Sequence, residues 1–401
     1  MAPSSNILFV IPSLEIGGAQ ANMLRLANQL HITGITVTVV DLKPHHRDES
    51  FTDHLLHPKI PIFSPPFFKS NNRLKARAVN RRSLRNRIIL KLLPETWWLR
   101  RMVNKHAIDL INSHMYLADS YLSQQNWKSR PPIVSKQCGC YNLIQSEKSS
   151  ASAQQKWATE VQRIFQHISG VITLTKKHES FLDEHALKQP RAAIYNGMPL
   201  PKLGQAKRSQ QAKGHLKLVL CARDEASKGW EIALLAVHRL LNQGEKISFD
   251  LIGSGPYIDS LKGKYEVPNI RFLGKHKSPT SILTEYDVGL LPTSFSAESL
   301  PNTVVEYQAC GLATISTHVG EIPQLVFGNH NQIAGQLVPM AQQSEMVESL
   351  VEAISVYLKA PATLKIHQEN AVHLRHRFDV ETTAKQYLDF FNYTIRKGPM
   401  P

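Results

Sequence analysis

Short apolar runs alternate with longer segments of helical period along the whole chain. In the first half ILFVI (7–11), TVTVV (36–40), DLINS (109–113), PIVS (132–135), GVITL (170–174) and AAIY (192–195) have the length and side-chain content of buried strands. Between them lie segments such as AQANMLRLANQLHITG, which sets Met23, Leu26, Ala27 and Leu30 on one side and stops at Gly34. The pattern lapses at PLPKLGQAKRSQQAKG (199–214), a linker composition, and then restarts. LKLVLCA (216–222), ISFDLIG (247–253), IRFLG (270–274), DVGLLP (287–292) and ATIST (313–317) are the strands expected there. Strand–helix alternation gives parallel sheets with right-handed crossovers. The expected fold is therefore α/β, with two doubly wound, Rossmann-like parallel-sheet domains facing a central cleft. The expected boundaries are 1–198, a linker at 199–214, 215–375, and a C-terminal helix within 376–401. That helix has no strand after it, so its docking place is open, the N-terminal domain being one choice.

A length of 401 residues agrees with two cores rather than one. Apolar residues at 42% and charged residues at 20% are the composition of a globular protein. No apolar run reaches the roughly 18–20 residues that span a bilayer. The N-terminal stretch MAPSSNILFVIPSL has no basic region ahead of a short apolar run, so a cytoplasmic location is expected. Cys138, Cys140, Cys221 and Cys310 are too few for a disulfide framework. The spacing of Cys138 and Cys140 does not suit a zinc knuckle, so no metal site is expected.

The net charge of +15 is unevenly placed. Residues 69–105 hold twelve Lys/Arg against Glu95 alone, which is +11 and leaves +4 for the rest of the chain. Trp97 and Trp98 stand among these cations. A partner with dense negative charge is implied, and an anionic membrane surface fits, met peripherally at the inner face. The charges do not keep to one helical face, so a solvated basic loop around a tryptophan pair stays open as the other reading.

Ligands of open parallel sheets lie beyond the carboxyl ends of the strands, and three loops there draw attention. In PSLEIGGAQ (12–20), Gly17 and Gly18 precede a helix, where backbone N–H groups can approach an anion; a tight turn without a ligand is equally consistent. In ARDEASKGWE, Arg223 and Lys228 leave a strand end, a forked and a point cation that suit a diphosphate, or else a solvated charged turn. LIGSGP repeats the geometry with Gly253 and Gly255. In SAESLPNTVVEYQACG, Glu298 lies on a loop and Glu306 in a helix that starts near Pro301 and ends at Gly311. Seven residues separate the two acids, which can serve as acceptors for hydroxyls at two ends of one ligand, or as a cap and a surface charge.

Taken in order, IGGAQ, ARDEASKG, LIGSGP and SFSAESLPNTVVEYQACGLATISTHVGEIPQLV resemble the retaining glycosyltransferases of family 4, of GT-B fold, most specifically through E-x7-E and the trailing ACG. The resemblance is strong over the C-terminal half and reaches the N-terminal half through its first loop, INSHMYLAD and IYNGMP. It implies an acceptor-side domain at 1–198 and a nucleotide-sugar-binding domain at 215–375. It gives Gly17 and Gly18 to the donor diphosphate and sugar, and His114 to the donor sugar near the reaction centre. Arg223 and Lys228 would hold the pyrophosphate, with Gly253 beside it, and Glu298 the sugar hydroxyls. Backbone groups of Ser299, Leu300, Asn302 and Thr303 would complete the phosphate cradle, and Glu306 would hold the ribose. Three departures stand out: Gln20 where Glu is frequent, Leu300-Pro301 for Phe-Gly, and Ala222 for a glycine. Pro301 has no N–H to give.

The activity implied is sugar transfer from a nucleotide-diphosphate donor, UDP being the commonest base in the family, to a glycan or lipid-linked acceptor in cell-surface polysaccharide, lipopolysaccharide or glycolipid synthesis. Cationic groups and helix N-termini can stabilise the leaving diphosphate, and no Asp-x-Asp motif precedes a sugar site, so neither metal nor cofactor is expected. With no evident protein nucleophile, same-face attack is favoured over a covalent intermediate. A GT-B sugar-nucleotide epimerase is the alternative enzyme. A basic nucleic-acid binder is the alternative outside enzymes, and no recognised nucleic-acid module supports it.

Overall fold

The computed structural model describes residues 5–65, 95–125, 127, 129–148, 150–203, 214–276, 278–296, 298, 300–328 and 332–398. By compactness the chain divides into two units, Met1–Gly197 with Thr383–Pro401, and Met198–Thr382.

The first unit is built on a parallel sheet of seven strands: β1 (Asn6–Ile11), β2 (Thr36–Asp41), β3 (Ile62–Phe63), β4 (Leu110–His114), β5 (Ile133–Lys136), β6 (Gly170–Thr173) and β7 (Arg191–Ala193), in the order β3-β2-β1-β4-β5-β6-β7. Side chains alternate across a strand, and both faces here are apolar. Ile7, Phe9, Leu110, Val134 and Ile172 meet Met23, Leu26 and Leu30 of the helix Gly18–Ile32. On that same face lie Tyr387 and Phe391 of the C-terminal helix Val380–Lys397. Leu8, Val10, Ile111, Ile133 and Val171 face the other way, toward Trp157, Val161 and Ile164 of the helix Ala151–Phe165.

The second unit carries six parallel strands: β8 (Leu216–Cys221), β9 (Ile247–Ile252), β10 (Ile270–Gly274), β11 (Val288–Leu291), β12 (Ala313–Thr317) and β13 (Gly335–Val338), in the order β10-β9-β8-β11-β12-β13. Leu218, Leu220 and Phe249 pack under Trp230, Leu234 and Val237 of the helix Trp230–Asn242. The opposite face sets Val219, Cys221 and Ile252 against Tyr307 and Cys310.

Two doubly wound parallel-sheet units are therefore present, as the alternation implies. The differences lie at edges. β3 and β13 were not anticipated, because one is two residues long and the other opens with Gly-Gln. β5 runs one residue further than PIVS, through Lys136. Most of the linker, 204–213, lies outside the described residues, as do residues 69–94 of the basic segment. The remainder of that segment is the helix Glu95–Lys105, which buries Leu99, Met102 and Val103. No helix among the described residues is long and apolar enough to cross a membrane.

Candidate functional site

In the second unit the strand order reverses between β8 and β11, and the loops after these two strands lie at the carboxyl edge of the sheet, where ligands of such sheets sit. The loops are stitched together by Ser227, whose carbonyl accepts the Ser294 N–H at 2.8 Å and the Thr293 hydroxyl at 3.0 Å. Gly229 sits at φ +80 beneath them, and a Cβ there would lie 2.0 Å from the Pro292 carbonyl oxygen, so the close approach requires glycine.

This stitching brings Lys228 from one loop to Glu298 on the other. Nζ and Oε2 are 2.6 Å apart, with the side chains 9% and 10% exposed. Thr293 Oγ1 stands 3.4 Å from the same carboxylate oxygen, and the Phe295 ring centroid lies 5.5 Å from the ammonium. The two residues expected to serve the diphosphate and the sugar thus pair with each other.

Pro301 caps the helix Asn302–Ala309 with extended backbone, φ −69 and ψ 118, and Gly311 ends it at φ +72. The helix is locked to the strand ends. Thr303 Oγ1 donates to the Cys221 carbonyl at 3.0 Å, and Tyr307 OH accepts the Cys221 N–H at 2.8 Å while donating to Leu290 O at 3.1 Å. Leu300 is buried. Burial and then the negative charge of Glu306 push the Cys221 thiol up. Ser299 lies outside the described residues.

Arg223 is not drawn in. Its guanidinium is 62% exposed and pairs with Glu225 at 2.9 Å, while its carbonyl accepts the Trp230 indole N–H. Gly253 is closely packed: its N–H donates to Gly274 O, and a Cβ would meet the Ala222 carbonyl oxygen at 2.7 Å. The helix Pro256–Tyr265 beyond it spends its first donors on Asp224, whose Oδ1 accepts the Ile258 N–H at 2.8 Å. That capping aspartate, inside ARDEASKG, went unread because a carboxylate capping a helix from another loop leaves no local spacing signal.

In the first unit the corresponding reversal lies between β1 and β4. Gly17 is the N-cap of the helix Gly18–Ile32, at an extended φ of −170, and the nearest atom to a Cβ there would be the tip of the Gln20 side chain, which can swing away. Neither backbone conformation nor packing therefore demands glycine at 17. His114 ends β4 and is 1% exposed. Its Nε2 is 2.9 Å from Asn112 Oδ1, and the Asn112 amide donates to Val134 O, which fixes that oxygen toward the ring. The imidazole therefore donates from Nε2 and keeps a lone pair on Nδ1, which has no partner among the described residues. Burial, helped by the Lys136 charge, holds its pKa well below the usual histidine range. The next residue, Met115, is held at φ +72, a strained conformation for a side chain of that size.

Behind β4 and β5, Asp119 is fully buried and accepts from Ser113, from Ser135 at 2.6 Å and from Tyr141 at 2.8 Å. Burial raises its pKa to about 6 against these bonds. Among the described residues no group of three or more His, Cys, Asp or Glu is placed to hold a metal ion.

Residues 215–356 match the family model of glycosyl transferases group 1. The match covers β8 to β13 and so includes Lys228, Glu298 and Glu306. The chain is 24% identical over 186 residues to the gpi3 subunit of phosphatidylinositol N-acetylglucosaminyltransferase from Schizosaccharomyces pombe, covering 45% of this chain and 39% of that protein. It is 28% identical over 156 residues to the putative colanic acid biosynthesis glycosyltransferase WcaL of Salmonella typhimurium, covering 36% and 38%. The aligned part thus spans about two fifths of the length of these relatives. Among solved structures, sucrose-phosphate synthase from Thermosynechococcus elongatus superposes with a TM-score of 0.72 at 16% identity, covering 98% of this chain and 100% of that one. Anabaena Alr3699/HepE in complex with UDP-glucose gives 0.70 at 17%, covering 97% and 99%. The fold is that of the GT-B glycosyltransferases, two Rossmann-like parallel-sheet units.

Proposed function

We propose that the protein is a retaining, metal-independent glycosyltransferase that moves a sugar from a nucleoside diphosphate, UDP in the first instance, to a glycan or lipid-linked acceptor. The observation that carries this reading is the Lys228–Glu298 pair at the β8/β11 reversal, inside the matched residues 215–356. Two of the relatives are named as a phosphatidylinositol N-acetylglucosaminyltransferase subunit and a putative colanic acid biosynthesis glycosyltransferase, which favours a cell-surface glycan or glycolipid.

Departure of a nucleoside diphosphate leaves negative charge on its oxygens and positive charge on the anomeric carbon. Lys228 is preorganised for the first: it is nearly buried, so its charge is little screened, and Glu298 fixes its position. The first N–H groups of the helix Asn302–Ala309 add a second, dipolar donor set, which begins after Pro301. Glu298 has further oxygen lone pairs for sugar hydroxyls, and Glu306 serves the ribose. Arg223 reaches the diphosphate by exchanging Glu225 for it, which its exposure permits.

In the first unit Gly17 and Gly18 allow backbone to approach the sugar, and the bare Nδ1 of His114 accepts a sugar hydroxyl. A neutral imidazole suits that task, since it has a lone pair to offer at physiological pH. The basic segment 69–105 provides a peripheral contact with an anionic membrane surface.

The test is product mass after incubation with a panel of sugar nucleotides and glycan or lipid-linked acceptors, run with and without a chelator. Nucleotide release that Glu298→Gln leaves unchanged would sink the reading.

A further inference from the structure

Three neighbouring strand ends of the first unit each leave a buried nitrogen with unspent hydrogen-bonding capacity. His114 and Lys136 are register partners at the carboxyl ends of β4 and β5. They share the sheet face of Leu110 and Val134, because residues two apart point the same way. His114 keeps the lone pair on Nδ1. His178, in the first turn of the helix Lys176–Glu184 after β6, accepts the Leu174 N–H on Nδ1 at 3.2 Å. Its proton therefore sits on Nε2, and that buried N–H has no partner among the described residues either. Lys136 is 4% exposed. Its Nζ lies 2.5 Å from Tyr387 OH, and among the described residues no carboxylate pairs with it. His114 and Lys136 thus share one spot by register, and after burial the Lys136 charge helps to lower the pKa of both imidazoles, that of His178 included.

Buried polar groups are nearly always satisfied, and a buried cation without a counter-charge is held at a cost that a bound anion removes. We propose that this spot is a subsite for a sugar ring that carries a carboxylate or a phosphate. The anion sits on Lys136, a ring hydroxyl donates to His114 Nδ1, and the His178 Nε2–H donates to a further ring oxygen. The pattern of one acceptor, one neutral donor and one cation fits an anionic sugar, which brings ring hydroxyls and an anionic group in one molecule. It disfavours a neutral sugar, which leaves the ammonium uncompensated. The proposal rests on the transferase reading only in taking a sugar as the ligand.

The experiment titrates the full chain with glucuronate, glucose 6-phosphate and glucose by calorimetry. The expected result is about tenfold tighter binding of at least one anionic sugar than of glucose, with the preference falling to about twofold or less in Lys136→Gln. Whichever anionic sugar binds more tightly identifies carboxylate or phosphate. Faster consumption of UDP-glucuronate than of UDP-glucose places the anionic ring on the donor, and faster consumption of UDP-glucose when glucuronate is added places it on the acceptor. Equal affinity of the wild-type protein for glucose and for both anionic sugars overturns the proposal, as does Lys136→Gln with the preference intact. The wild-type comparison needs no variant to fold. UDP binding is read separately and tests the second unit, so either result can fail without the other.

Discussion

Lys228 and Glu298 stand 2.6 Å apart, 70 residues distant in the chain, because β8 and β11 are sheet neighbours and their loops share the Ser227 carbonyl. Both side chains are about nine-tenths buried, so each neutralises a charge that the interior would otherwise hold at high cost. Removing one partner of such a pair costs roughly 3–5 kcal/mol, because the other is stranded. Lys228→Met alone should therefore lower the urea midpoint clearly. Lys228→Met with Glu298→Gln should recover much of that stability without recovering donor hydrolysis. Equal stability of the single and double variants would show that the pair is not coupled.

Gly229 and Gly17 separate the demands of the fold from those of a ligand. Gly229→Ala combines a left-handed φ with a Cβ at 2.0 Å from a backbone oxygen, and should destabilise by about 2–4 kcal/mol. Gly17→Ala meets only the movable tip of Gln20 at an extended φ, so thermal stability should change by less than about 1 kcal/mol. Donor turnover should nevertheless fall at least about tenfold, because the added methyl occupies the space through which backbone would approach the sugar. Thermal melts beside donor hydrolysis decide it: a stable, fully active Gly17→Ala removes the ligand role from that glycine.

Asn112 should control which nitrogen of His114 carries the proton. Asn112→Leu keeps the site apolar and removes the acceptor of the Nε2–H, leaving both tautomers accessible. Nitrogen-15 shifts of labelled histidine should show a single Nε2–H form in the wild-type protein and a mixture in the variant. With the acceptor geometry lost, kcat for donor hydrolysis should fall about tenfold to a hundredfold. An unchanged tautomer would mean that Asn112 does not set the position of the proton.

Most of the frame was legible because it depends on local pattern. Runs such as ILFVI and LKLVLC are buried on both faces, so the sequence shows them as continuous apolar stretches, and Gly34 and Gly311 punctuate their helices. Glu298 and Lys228 were legible as chemistry but not as a pair, since their meeting depends on strand order rather than spacing. Gly253 reads from the sequence as a ligand glycine, and its close approach to the Ala222 carbonyl adds a packing reason for glycine there. Lys136 was the missed signal. A lysine directly after PIVS ends a buried strand with a charge, and ending the strand at Ser135 left that lysine in a loop.

The pH dependence of stability follows from the same buried groups, taken by sign. His178, lowered to about 4, and His114, lowered well below 6.5, resist protonation when folded. Their contribution is present above 6.5 and lost as pH falls through the folded values. Asp119, raised to about 6 from 3.8, acts the other way: its contribution is present below 3.8 and lost as pH rises through 6. Lys136, lowered to about 8, is protonated in both states below that pH and adds no slope there. Between about pH 6 and 4 the two imidazoles therefore oppose the one carboxyl, and His167, His185 and His367, also lowered by burial, act with the imidazoles. Each proton taken up on unfolding corresponds to roughly 1.4 kcal/mol of lost stability per pH unit on acidification. In Asp119→Asn that opposing group is gone, and the loss should steepen by about that amount whatever the variant's absolute stability. Urea denaturation at three pH values across this window measures both slopes. Equal slopes for the wild-type protein and Asp119→Asn would contradict the raised carboxyl, and a flat profile in both would contradict the buried neutral histidines.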